Sequence, residues 1–223
     1  MDQQHVVIIL PHPDDEAFGC SGTILEYRKN NIPVTYLCGT LGEMGRNMGS
    51  PFFANRETLP EIRKKELQDA CKALDIDLQM LGYRDKTLEF EDRGEVAEHL
   101  KSILEDIQPS LVITFYPGHA VHPDHDAMGA AAIKAVERMD PDHRPEVWAK
   151  AITHNRHEML GEPDVVNDVK DQFEDKMKVI EAHRSQAEGM LSKFRNSPEF
   201  GDMDSEGMKM LRYEEFYKWD FNS

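Results

Sequence analysis

Short apolar runs alternate along the chain with longer segments of helical periodicity. Val6-Val7-Ile8-Ile9-Leu10 is an unbroken apolar run, the pattern of a strand buried on both faces. Residues 33–38, 78–81, 111–115 and 148–153 are further strand candidates. Between them, Ile24 to Lys29 reads as a helix. Asn55 to Leu74 reads as a longer one, with Ile62, Leu67, Ala70 and Leu74 as its apolar stripe and Asn55 or Thr58 as its cap. Gly94 to Ile107 repeats the pattern through Val96, Leu100, Ile103 and Leu104, and Pro109 stops it. Ala127 to Val136 is rich in small residues and suits close packing on a sheet. From Asp164 the chain reads as helical, with Phe173, Met177 and Ile180 marking a helix from Val169 to Ala182. Met208 to Trp219 fits helix or strand. Strands alternating with helices predict an α/β fold, a Rossmann-like, mostly parallel sheet with helices on both faces. One domain spans 1–223, and 196–223 is expected to be peripheral. Its Phe216, Tyr217, Trp219 and Phe221 would form a capping layer or a contact in a homo-oligomer.

Composition narrows the function. The formal net charge is -16, from 42 acids against 26 bases, a field that repels phosphate backbones and argues against nucleic acid. No apolar stretch is long enough to cross a membrane, and Met1-Asp2-Gln3-Gln4 lacks the basic start of a signal peptide. Cys20, Cys38 and Cys71 show no CxxC spacing and are expected as free, mostly core thiols in a reducing compartment, the cytoplasm.

The chemistry gathers where strands end. His12-Pro13-Asp14-Asp15-Glu16 directly follows the first strand, at the sheet edge where open α/β folds bind ligands. His12 and Asp15 suit one Zn²⁺, and Asp14 between them is left for proton transfer; Pro13 and Glu16 need no metal to explain them. An acidic, solvated turn is the bland alternative. The fourth strand leads into His119-Ala120-Val121-His122-Pro123-Asp124-His125, a second cluster at the same edge. His12, Asp15 and one of His122 or His125 would make a three-ligand catalytic site, with Asp14 as base and the other histidine as oxyanion donor or acid. That is metal-assisted hydrolysis of a carbonyl compound. The glycine-rich segment 39–49 leaves the second strand towards the same crevice, and its Arg46 could pair with an anionic substrate or lie free on the surface. Arg63 and Glu66 read as surface helix neighbours. No phosphate-cradling glycine fingerprint supports nucleotide binding.

Leu10-Pro-His-Pro-Asp-Asp-Glu16 with the following Gly-x-x-Gly-Thr-Ile resembles the first signature of the LmbE/PIG-L family of N-acetylglucosaminyl deacetylases, and His122-Pro-Asp-His125-x-Ala resembles its second. Gly-Glu-Met-Gly, Arg63-x-x-Glu66 and His183-x-Ser-Gln match as well, so the likeness runs over residues 5 to 190. Longer runs, among them Gly-Tyr-Arg-Asp-Lys-Thr-Leu-Glu-Phe, are similar to one branch, the second type of bacillithiol-biosynthesis deacetylase. The resemblance implies that His12, Asp15 and His125 hold zinc, with Fe²⁺, Co²⁺ or Mn²⁺ as other ions such ligands take. It implies Asp14 as base, His122 as oxyanion donor and Asp124 as the residue orienting His122. Glu43 and Arg63 would line the substrate cleft, with Arg46, Arg56 and Asp85 as further candidates. The implied reaction is cleavage of N-acetylglucosaminyl malate to glucosaminyl malate and acetate. Other N-acetylglucosamine or thiol conjugates are the alternative substrates, and a non-catalytic metal- or sugar-binding module is the alternative of another class. Leu74-Asp75 stands where family members often have Leu-Gly.

Overall fold

The computed structural model describes residues 4–221. Met1 to Gln3, most of the segment read above for a leader, and the last two residues of the tail lie outside them. In chain order the elements are β1 (Val6–Leu10), α1 (Asp15–Gly19), α2 (Ser21–Lys29), β2 (Val34–Cys38), α3 (Leu59–Leu74), β3 (Asp77–Met80), α4 (Arg93–Ile107), β4 (Leu111–Phe115) and α5 (Pro123–Glu137). Then come β5 (Glu146–Lys150), α6 (Arg156–Leu160), β6 (Val165–Asp168), α7 (Phe173–Ala182), α8 (Arg184–Arg195), α9 (Glu206–Arg212) and β7 (Tyr213–Lys218).

The described strands form one sheet in the order β3-β2-β1-β4-β5-β7-β6. β1 to β5 run parallel, and β7 is antiparallel to both neighbours. Alternation along the strands divides the core. Val6, Ile8, Leu10, Ile113 and Phe115 face α2, α3, α7 and α8, while Val7, Ile9 and Val112 face α4 and α5. The expected α/β sheet with both faces covered is what the chain forms. Strand order reverses between β1 and β4, so the loops leaving these two strands open a crevice at their carboxyl ends.

Three expectations change. β5 begins at Glu146, two residues early, and ends at Lys150, three residues early, because pairing with β4 in the register Leu111↔Glu146 to Phe115↔Lys150 decides its bounds. Residues 165–168, read as the start of a helical region, are a strand; two apolar residues give too short an alternation to be read from sequence, and pairing with β7 makes it. Not all of the tail is peripheral: β7 is an inner strand, Phe216 and Tyr217 are buried, and Trp219 and Phe221 pack against the core. Among the described residues, no helix is long and apolar enough to cross a membrane. Asp75 closes α3 at φ 56°, ψ 49°, the left-handed conformation that favours glycine, which explains why the family pattern places glycine there.

Candidate active site

The loop after β1 is held by its backbone. Thr40 donates its amide and its hydroxyl to the Pro11 carbonyl at 2.7 and 2.9 Å. The Tyr36 hydroxyl donates to the His12 carbonyl at 2.7 Å, and Arg63 Nη2 to the Pro13 carbonyl at 2.5 Å. The Asp14 amide donates to Glu16 Oε2 at 3.1 Å, and Glu16 Oε1 meets His183 Nε2 at 2.5 Å, both side chains fully buried. Asp14 itself sits at φ 90°, a left-handed conformation strained for a residue with a Cβ. So many partners over-determine the turn, and together they aim successive side chains of His12-Pro13-Asp14-Asp15.

The loop after β4 meets it. His12 Nδ1 lies 3.1 Å from His125 Nε2 and 3.5 Å from Asp15 Oδ2, and His125 Nε2 lies 3.3 Å from Asp15 Oδ1. A tetrahedral Zn²⁺ with ligands at about 2.0–2.1 Å places them roughly 3.3–3.4 Å apart. The donor set therefore fits such an ion. The other nitrogen of each imidazole is engaged: His125 Nδ1 with the Ala120 carbonyl at 3.0 Å, and His12 Nε2 with Asp124 and Asp85, each at 3.2 Å. The ring of His125 stacks on Phe115 at 4.2 Å between centroids. A nitrogen of His122 is within 4.8 Å of nitrogens of His12 and His125. Its Nδ1 accepts the Asp124 amide at 3.2 Å, which puts the ring proton on Nε2.

The electrostatics follow from this packing. Burial works to lower the His12 pKa, but hydrogen bonds with Asp124, Asp15 and Asp85 outweigh it and raise the imidazole to about 11. Burial would raise Asp15, yet His125 and His12 hold its carboxyl well below the usual range. Burial pushes the Asp14 carboxyl up to about 6, against the Arg63 guanidinium 3.2 Å away and with the help of Asp15. Burial, then His12 and His125, lower the pKa of His122, which keeps it neutral at pH 7.

The profile of the family described as PIG-L: GlcNAc-PI de-N-acetylase matches residues 7–136. The chain belongs to the PIG-L family. It is 60% identical over 190 residues to the probable N-acetyl-alpha-D-glucosaminyl L-malate deacetylase 2 of Bacillus subtilis, covering 85% of this chain and 86% of that one. The protein of the same name from Bacillus cereus is 52% identical, covering 98% of this chain and all of its relative (100%). Among solved structures, the N,N'-diacetylchitobiose deacetylase from Pyrococcus horikoshii superposes with a TM-score of 0.75 at 27% identity, over 98% of this chain and 84% of that one.

Within this PIG-L chain the remaining candidates separate. Asp124 does not orient His122 through its side chain; its carboxylate faces His12 and accepts the amides of Lys86 at 2.6 Å and Leu88 at 3.2 Å. Arg63 and Glu66 are not a surface pair. Arg63 is buried against Gly42, Pro13 and Asp14, and Glu66 accepts the amide and hydroxyl of Ser185, both at 2.6 Å. Periodicity put both on one helix but could not show that the helix face is covered by the loops after β1 and β2 at Arg63 and by the start of α8 at Glu66. Asp85, expected at the substrate, is buried and bound to His12 and the Met44 amide. Glu43 accepts the Asp85 amide at 3.0 Å. Arg46 and Arg56 are exposed; Arg56 Nη1 and Lys86 Nζ both reach the Met44 carbonyl, at 3.3 and 3.0 Å. Sequence reasoning missed Glu16, His183, Tyr36 and Lys86. His183 stood within a recognised motif, and Glu16 within the first cluster, but nothing in the sequence pairs them.

Proposed function

We propose that the chain is a metal-dependent N-deacetylase that releases acetate from N-acetylglucosaminyl L-malate, the substrate in the names of its two Bacillus relatives, as a step of bacillithiol biosynthesis. The observation that carries this reading is the meeting of His12, Asp15 and His125 at tetrahedral-edge distances, with the Asp14 carboxylate beside them and outside the donor set. Those three residues would hold a divalent ion, Zn²⁺ by ligand chemistry, with Fe²⁺, Co²⁺ or Mn²⁺ able to take the same donors. When bound, the ion supplies Lewis acidity to the acetyl carbonyl and lowers the pKa of water.

The chain's own residues do the rest. Asp14, steadied by Arg63, takes the proton of the attacking water. His122, with its proton on Nε2, donates to the carbonyl oxygen as it becomes negative. Asp124 and Asp85 keep His12 turned so that Nδ1 faces the other donors. The C–N bond breaks, and Asp14 passes its proton to the departing amine. Arg46, Arg56 and Lys86 are the exposed cations suited to the malate carboxylates. Free thiols at Cys20, Cys38 and Cys71 support a reducing, cytoplasmic setting. Association of like chains belongs to the same proposal, with exposed Phe52 and Phe90 as apolar contacts.

The test is mass-spectrometric detection of glucosaminyl malate after incubation with N-acetylglucosaminyl malate. Product should form with the metal-loaded chain, vanish on chelation and return with added ion. A panel of other N-acetylglucosamine and thiol conjugates ranks the alternative substrates by released acid. Metal bound at full stoichiometry with no hydrolysis of any of them would leave a binding module instead.

A further inference from the structure

A cavity of about 390 Å³ opens beside Asp15 and His125. Its other walls are apolar: Phe18 of α1, Phe115 at the end of β4, Ile152 after β5, and Leu191 and Phe194 of α8. Half-exposed Met190 and largely exposed Met210 line it too. Lys150 lines it as well, its amine lying over the ring of buried Phe216, 5.2 Å from the centroid. Neither Asp14, His122, Arg63 nor Asp85 lines this space. The metal-donor set therefore has an apolar flank distinct from the polar one that carries the base and the oxyanion donor.

Of the two substituents on a scissile amide, the sugar conjugate carries hydroxyls and carboxylates, which an apolar cavity would desolvate at a cost. The acyl substituent is the apolar one. It also begins at the reacting carbonyl carbon, and two of the donor residues, Asp15 and His125, border the cavity. An acetyl methyl is far too small for the space: a water takes roughly 30 Å³ of liquid volume, and a methyl is of that order. We propose that this cavity is an acyl-chain site, and that the enzyme hydrolyses medium-length linear N-acyl amides of the amino sugar as well as the N-acetyl one. The inference rests on the deacetylase reading above and extends its substrate class. The reaction balances with water alone. The water oxygen bonds to the acyl carbon, the C–N bond breaks, its electron pair takes a proton as the free amine, and the acyl group leaves as a carboxylate.

The experiment compares kcat/KM for N-acetyl- and N-hexanoyl-glucosaminyl malate on the metal-loaded chain. N-hexanoyl should be hydrolysed at least as well as N-acetyl, with a gain of up to about fourfold per buried methylene. Met190→Trp and Met210→Trp, made separately so that one can fail without ending the test, should each lower the hexanoyl-to-acetyl ratio at least tenfold. Calorimetric titration should give a more negative heat-capacity change for hexanoate than for acetate, the mark of apolar burial. Hydrolysis of N-acetyl with N-hexanoyl slower by a hundredfold overturns the acyl site and leaves the deacetylase reading standing. Hydrolysis of neither overturns both. Tryptophan variants that change the association state but not the ratio also overturn it, since the cavity would then be a subunit contact.

Discussion

At position 14 a left-handed backbone, a half-buried carboxylate and an arginine meet, and the chemistry expected of the site depends on all three. Asp14→Ala should keep metal at full stoichiometry, read by elemental analysis, while kcat falls by roughly 10²–10⁴ for lost acid–base help. The pH dependence has a definite sign. Burial raises this carboxyl from 3.8 to about 6, so its basic form is lost as pH falls through about 6. The acid limb of kcat/KM should therefore lie near pH 6, well above an ordinary aspartate's. Identity was legible here: His12, Asp14 and Asp15 were singled out by residue type and spacing, which left His122 and His125 as alternatives that the family resemblance separated. Orientation was not. Which imidazole Asp124 supports depends on distances across two loops, and it proved to be His12.

α5 carries His125 and lies so close to β4 that a Cβ on Gly129 would come 2.3 Å from the Phe115 carbonyl oxygen. Backbone atoms cannot give way as a side chain can. Gly129→Ala should cost about 1–3 kcal/mol in denaturant unfolding, the range for overpacking, and should weaken metal binding by shifting His125. The small-residue run had predicted this close packing without naming its partner. At the other end of the sheet, β7 brings Glu214 under α2. Its carboxylate accepts the Gly22 and Thr23 amides at 2.9 and 2.7 Å and pairs with buried Lys176 at 2.6 Å. Glu214→Gln should destabilise by about 3–5 kcal/mol, because Lys176 is left buried without its counter-ion. Burial would raise the Glu214 pKa, but Lys176 and Thr23 lower it below the usual 4.5. The stability it contributes is present above pH 4.5 and drains away as pH falls below that value. Acid unfolding of Glu214→Gln should be correspondingly less steep there.

For the molecule as a whole, strand order matters more than any single contact. His12 and His125 are 113 residues apart in the chain and adjacent in space because β1 and β4 are neighbours at the point where the sheet changes direction. Burial would lower the His12 imidazole, but hydrogen bonds with Asp124, Asp15 and Asp85 raise it to about 11, so a cation bound by His12 displaces a proton. Titration calorimetry at pH 7 in buffers of different ionisation enthalpy should report release of about one proton per ion, and apparent affinity should fall on acidification. A bound ion should also raise the unfolding midpoint, by mass action on the folded state alone.

The sequence by itself determined the alternation of strands and helices, the two histidine–carboxylate clusters and their place at strand ends. These are local properties, set by periodicity and by neighbours a few residues away. The tertiary structure decided what lies on the far side of each side chain. It turned Arg63 and Glu66 inward, placed Glu16 on His183, gave Asp124 to His12 and drew the tail into the sheet as β7. Such pairings join residues distant in the chain, and only the packing of one element on another fixes the distances that make them.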